Sequence, residues 1–412
     1  MSRKKVLIVS DYVKWTFWGI ETYIQNLKKV LPENEFEIKY FGGENIVWWK
    51  KYFYLLFSNF NFIYANKFEK ILNEYNPDIV WFHSISRLLW PKVIEKMKNF
   101  DWISIVTYHD FWYFSLFASN IYEENQIAER FNFMEFLKKA WYKWYLLLPY
   151  SIWKYFKLKK LKENLYKYVK IHTVPSEFMK KYPIKLWYSK NVELLPNFIL
   201  KENLIERKNI YQDKINFIFF WRLTKEKWVA LIISFLSKLW ELKYSNNEEY
   251  RQIVWKIRFF IFWDGEKEKE LLETFTWTDL TWKDIGIIQN LKDKENILDF
   301  IDKNPNKFVY YFWRRDFSTI KKFLSFSHYN LVPSLFLETF WLSALEWAAN
   351  WLINIWLDKE NIKNFILEDF RIQSPINENF SKKLFSIIKK HNLENWNKLS
   401  QESKKLAEKF II

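Results

Sequence analysis

Short continuous apolar runs alternate with amphipathic segments along most of the chain. Lys5–Ser10 (KVLIVS) reads as a strand covered on both faces, the habit of parallel sheets. It ends at Asp11, and a loop through Trp15 and Trp18-Gly19 leads to an amphipathic helix over Ile20–Leu31, closed by Pro32. The pattern then predicts strands at Glu35–Phe41, Pro77–His83 and Trp102–Thr107, and helices at Lys67–Tyr75 and Pro91–Asn99. Ile171–Met179 (IHTVPSEFM) predicts a strand and then a helix capped by Ser176, with Glu177 in its first turn. A polar, charged stretch between Leu200 and Lys214 predicts a domain boundary. Beyond it the alternation resumes, with strands at Ile215–Phe220, Ile257–Phe262, Phe308–Phe312, Tyr329–Pro333 and Ile353–Leu357, and helices at Val229–Leu239 and Ile320–Phe326. Such alternation predicts doubly wound α/β domains, which bind ligands at the carboxyl ends of their strands.

Two of those strand ends carry chemistry. His109, in Tyr108-His109-Asp110, follows the strand Trp102–Thr107, and His83 occupies a similar strand end. The richest stretch is Leu331–Asn350 (LVPSLFLETFWLSALEWAAN), where an apolar run ends in Pro333-Ser334 and a loop carries Glu338 ahead of a helix carrying Glu346. Thr339 or Ser343 is the expected N-cap, so the first turn offers free N–H groups and a positive dipole end, which suit a phosphate. Glu338 and Glu346 flank that terminus and fit an anionic, hydroxyl-rich ligand. In the loop after Ile215–Phe220, Arg222 supplies a planar fork and Lys227 a compact charge, a pairing suited to a diphosphate.

Pro333-Ser334, Glu338, Phe340-Trp341-Leu342 and Glu346 together resemble the Pro-Ser-x-x-x-Glu-x-Phe-Gly-Leu…Glu signature of the retaining glycosyltransferases of family 4, with Trp341 in the place of Gly. Trp221-Arg222-Leu223 through Lys227-Trp228 is similar to the family's Gly-Arg-Leu…Lys-Gly segment, and Trp263-Asp264-Gly265 to a Gly-Asp-Gly turn. The resemblance spans most of residues 5–350 and weakens after Asn350. It implies the GT-B fold: two Rossmann-like domains facing an interdomain cleft, with residues 1–200 on the acceptor side and 201–394 binding the nucleotide sugar. The terminal helix, about 395–412, is expected to cross back onto the first domain. In this resemblance His109 and Glu338 serve the reacting sugar, while Gly19, Arg222, Lys227, Phe340, Trp341, Leu342 and Glu346 bind the donor. No metal and no cofactor are implied beyond the nucleotide-diphosphate sugar itself. The acceptor would be a hydroxyl of a glycan or lipid-linked glycan.

The chain has 25 Trp and 5 Gly in 412 residues, where about 7% Gly, roughly 29 residues, is usual. Trp18, Trp221, Trp228, Trp263, Trp313 and Trp341 stand where the motifs need Gly. Those turns require a positive φ or close backbone approach, which Gly supplies and Trp does not. The sequence is therefore expected to come from a genetic code in which UGA means glycine, read here as tryptophan. Trp112, in His109-Asp110-Phe111-Trp112-Tyr113, fits as a genuine aromatic. Trp81 is left unassigned.

Composition adds limits. The absence of Cys excludes a disulfide scaffold, a thiolate zinc site and a catalytic thiol. The basic start precedes an apolar run too short for a signal peptide, and no stretch reaches the length of a membrane span. A cytoplasmic protein is expected. The net charge of +16 favours anionic partners. Residues 131–169 interleave aromatics, Leu and Lys in helical segments expected to break at Pro149, so peripheral contact with an anionic membrane on its inner face stands beside simple packing on the core. A nucleotide-sugar epimerase of the same fold and a basic binding protein remain as alternatives; nucleic acid is not expected as a partner.

Overall fold

The computed structural model describes residues 2–412 apart from 12, 14–18, 43–61, 87–88, 101, 116–120, 122–123, 128, 131, 140, 209–212, 221–228, 263–284, 289–296, 306, 313–316, 332–336, 360–362 and 374–375. Two compact units emerge: Met1–Phe198 with Leu337–Phe340 and Ile412, and Ile199–Phe336 with Trp341–Ile411.

In the first unit, β1 (Lys4–Ser10), β2 (Phe36–Gly42), β3 (Ile79–Phe82), β4 (Ile103–Thr107), β5 (Ile171–Val174) and β6 (Glu193–Leu194) form one parallel sheet in the order β2-β1-β3-β4-β5-β6. The last five residues of β1 are buried, as its unbroken apolar run requires of a strand with helices over both faces. Its end lies so close to Gly42 that a Cβ there would stand 2.5 Å from Val13 Cγ2 and 2.6 Å from the Ser10 carbonyl oxygen. The helix Glu177–Lys185 starts as its sequence predicts, with the Ser176 hydroxyl accepting from the Met179 N–H at 3.4 Å.

The second unit holds β7 (Ile215–Phe220), β8 (Ile257–Phe262), β9 (Ile285–Ile288), β10 (Val309–Phe312), β11 (Tyr329–Leu331), β12 (Ile353–Leu357) and β13 (Arg371–Ile372), paired in parallel in the order β13-β12-β11-β7-β8-β10-β9. Its core is aromatic. Phe260, Phe262, Phe312 and Phe323 are all fully buried. Phe262 and Phe312 stack at 4.7 Å between centroids, and Phe323 meets each of them edge-on at 4.8 Å. Truncating any one of these rings to Ala would cost about 3–5 kcal/mol.

One local expectation is corrected. The helix Trp141–Tyr168 runs through Pro149 without a break. Proline removes one hydrogen bond, and the tertiary packing of Leu158, Leu161 and Leu165 in the core holds the helix together regardless. The same helix buries Lys154 and Lys157, each 2% exposed. The C-terminal helix Leu393–Glu408 groups with the second unit. The Trp396 indole donates to the His328 carbonyl at 3.2 Å and the Ser403 hydroxyl to the Leu352 carbonyl at 2.8 Å; only Ile412 belongs with the first unit.

Candidate functional site

In the first unit, parallel register brings the carboxyl ends of three adjacent strands together. The His83 N–H donates to the Val9 carbonyl at 2.8 Å, the Asp11 N–H to Ser84 at 2.5 Å, and the Tyr108 N–H to Thr173 at 2.9 Å. Asp11, His83 and His109 therefore emerge side by side. Asp11 is fully buried and accepts the Leu89 N–H at 2.8 Å. Asp110 caps the short turn Phe111–Tyr113 by accepting the Trp112 N–H at 3.0 Å.

The two histidines touch. His83 Nδ1 lies 2.9 Å from His109 Nε2, with ring planes 23° apart. Trp81 stacks on the outer side of His83, and Tyr23, from the helix Gly19–Val30, leans on His109 with centroids 5.0 Å apart. Burial pushes His109 down to about 3 and His83 well below the usual imidazole range. Both rings are neutral at physiological pH.

A loop remote in sequence is pinned onto this strand end. The Thr339 hydroxyl donates to the His109 carbonyl at 2.5 Å, and the Ser176 hydroxyl donates to the Thr339 carbonyl at 2.6 Å. The Leu337 N–H donates to Ile121 at 2.9 Å. Glu338 is thus held between two anchored residues, in the same unit as His109. Phe340 is buried at the end of this loop. Sequence reading did not single out Ser176 for this role, since no local signal announces a partner 163 residues away.

The expected N-caps are not used. The helix Leu342–Ala349 is capped by Trp341, with no side-chain hydrogen bond to the first turn, and Thr339 spends its hydroxyl on His109 instead. Leu342 opens that helix and Glu346 follows one turn later. Glu346 keeps some accessible surface, yet protein crowds its carboxyl and pushes its pKa up to about 7, a rise that Lys321 partly opposes. Gly19 begins its helix at an exposed position with nothing within 4 Å of a would-be Cβ. Arg222 and Lys227, like Asp264-Gly265 and Pro333-Ser334, lie outside the described residues.

No protein-family model and no curated protein sequence matches the chain. Solved structures do. Sucrose-phosphate synthase from Thermosynechococcus elongatus matches at 11% identity and a TM-score of 0.62, over 99% of this chain and 95% of that one. Anabaena HepE in complex with UDP matches at 9% identity and 0.63, over 98% and 95%. The lipopolysaccharide outer core galactosyltransferase WaaB matches at 12% and 0.56, over 99% and 95%. At such identities the likeness is one of fold, and it is the fold of two Rossmann-like domains known as GT-B.

Proposed function

We propose that the protein is a glycosyltransferase that moves a sugar from a nucleotide diphosphate to a hydroxyl acceptor with retention of anomeric configuration and without a metal. The observation that carries this reading is the pinning of the Glu338 loop onto the His109 strand end through Thr339 and Ser176. It gathers one carboxylate and one neutral imidazole where a doubly wound domain places its ligands. The solved structures of like fold include one named for its complex with UDP and glucose, and another named as a galactosyltransferase. In the proposed reaction the bond between the anomeric carbon and the diphosphate breaks, and the departing diphosphate gains negative charge. Arg222, Lys227 and the N–H groups at the start of the helix Leu342–Ala349 would stabilise that charge. Glu346 would accept hydrogen bonds from ribose hydroxyls, Glu338 from the sugar, and Gly19 would allow the backbone close to a phosphate. Incubation with a panel of nucleotide sugars and glycan acceptors, with and without chelator, tests the reading. Transfer product with the donor's anomeric configuration, seen by NMR, supports it. A sugar altered without any acceptor would point to the epimerase alternative.

The proposal extends to the tryptophans: those in motif positions, Trp341 among them, stand for glycine encoded by UGA. Two backbone sites favour this independently of any motif. Trp187 has φ 62° and Trp351 φ 71°. Each follows a helix as the residue just past its cap. Behind Trp187, the Tyr188 N–H reaches Pro183 O at 2.8 Å and the Trp187 N–H reaches Ile184 O at 3.0 Å. Behind Trp351, the Leu352 N–H reaches Trp347 O and the Trp351 N–H reaches Ala348 O, both at 3.1 Å. Both are complete Schellman motifs, whose left-handed position is usually glycine. By contrast, the indoles of half-buried Trp81 and buried Trp396 donate to Thr107 Oγ1 and His328 O, as native tryptophans do. Peptide masses of the native protein across 183–188 and 347–352 decide the matter: tryptophan in both would refute it.

The face of the helix Trp141–Tyr168 that bears Ile152, Phe156 and Tyr166, at 36, 58 and 44% exposed, also carries Lys159 and Lys160. That mixture supports peripheral docking on an anionic membrane. Among the described residues no helix is long and apolar enough to cross one.

A further inference from the structure

The structure assigns His83 a task of its own: we infer that it is a positioning residue that fixes the tautomer of His109, donating from its Nδ1 to His109 Nε2 and leaving the His109 proton on Nδ1. The inference rests on the transferase reading for its catalytic meaning, though not for its geometry. Two neutral imidazoles 2.9 Å apart share one proton across the gap, so the tautomer of one ring dictates that of the other. What breaks the symmetry is the far side of His83. Its Nε2 is buried and has no hydrogen-bond partner among the described residues. If His109 donated, His83 would have to carry its own proton there, as a buried and unpaired N–H. Buried orphan N–H groups are rarer than under-satisfied acceptors, so the bare lone pair belongs on that side and the proton on Nδ1.

The rest of the pocket holds this arrangement in place. His83 is fully buried and gripped at both ends of its residue, its N–H donating to Val9 and its carbonyl accepting the Tyr113 hydroxyl. Its ring stacks on Trp81 and meets His109 edge to edge, nearly coplanar, as an N–H···N bond requires. His109 is 8% exposed, so it is the member of the pair that a ligand can reach. With its Nε2 lone pair already engaged, His109 offers an N–H and no basic nitrogen. It therefore acts toward substrate as a neutral hydrogen-bond donor to an oxygen, and not as a base. A helper imidazole of this kind does for a ring what an outer carboxylate or carbonyl does for a metal-bound or catalytic histidine, setting which nitrogen carries the proton.

Long-range ¹H–¹⁵N spectra of the histidine rings in the labelled whole chain at pH 7 test this. The five His are assigned by substitution. The expected result is an Nδ1–H tautomer for both His83 and His109; an Nε2–H form of His109 overturns the inference. In His83→Phe, which keeps a ring of similar size in the stack, the His109 resonances should move to the Nε2–H form or to a mixture. An unchanged His109 tautomer there also refutes it. Transfer activity of the same variant should fall on the order of tenfold in kcat with KM little changed. His83→Asn should recover most of that loss, because its amide nitrogen sits the same two bonds from Cβ as the imidazole Nδ1. A His83→Asn no better than His83→Phe would reduce His83 to a packing role and overturn the assignment. If no nucleotide sugar is turned over by the unaltered chain, the transferase reading fails, while the ring spectra still decide the histidine pair.

Discussion

Replacing Trp187 by Gly and by Ala separates a backbone requirement from everything else at that position. Trp187 holds φ 62° with its side chain 69% exposed, so removing the indole gives up little packing. An L-residue in the left-handed region carries a penalty of roughly 1–2 kcal/mol from its Cβ, which only Gly escapes. Against that, Gly has more unfolded freedom to lose than Ala, about 0.5–1 kcal/mol. The difference leaves Trp187→Gly more stable than Trp187→Ala by about 0.5–1 kcal/mol, the reverse of the order at an ordinary helical or extended site. Urea denaturation of the two variants reads the gap as a shift in midpoint at constant slope. Amide exchange at Tyr188, whose N–H closes the motif onto Pro183, should slow in the Gly variant relative to Ala. Trp351 is a second site with a different balance, because Lys404 Nζ sits 3.9 Å from the centre of its ring. That cation–π contact is worth about 0.5–1 kcal/mol at an accessible site, so Trp351→Gly should come out near neutral against Trp while still exceeding Ala. Ala equal to or better than Gly at both positions would show that the helix ends do not need glycine, and would remove the structural support for the recoding.

The remaining predictions concern ligand and membrane. Because the Glu346 pKa is raised from 4.5 to about 7, the folded state holds a proton that the unfolded chain has lost between those values, so its contribution to stability falls as pH rises through that window. Glu346→Gln should flatten this dependence in urea midpoints measured from pH 5 to 8; an unchanged slope would refute it. Ligand affinity should move the other way, rising toward pH 8 as Glu346 ionises and can accept from two hydroxyls. In a chain with glycine restored at the motif positions, Glu346→Ala and Lys227→Ala should each abolish nucleotide-sugar binding by calorimetry, and unchanged affinity in both would sink the site assignment. Phe156→Asp should abolish flotation with anionic vesicles and leave the fold intact by circular dichroism; flotation equal to that of the unaltered chain would rule out docking through this face.

Local pattern made much of this protein legible from its sequence. β1, β7, β8 and β12 are readable because a strand covered on both faces must be apolar throughout, whatever the rest of the chain does. The Ser176 cap is readable because it is satisfied within three residues. The alternation of strand and helix alone dictated parallel sheets, and hence carboxyl strand ends gathered along one edge of each sheet, that of His109 among them. Other features depended on partners far along the chain. Thr339 looked like a helix cap, but its hydroxyl is taken by a carbonyl 230 residues away. Pro149 looked like a break, yet packing of the residues beyond it outweighs one lost hydrogen bond. Lys154 and Lys157 are buried by the fold, which the mixed pattern of 131–169 does not announce. The pairing of His83 with His109 follows from two strands lying side by side in register, β3 next to β4, which no local pattern states. Periodicity reports which residues leave water; only the tertiary structure decides what each of them meets there, because hydrogen bonding and tautomer are set by neighbours and not by sequence distance.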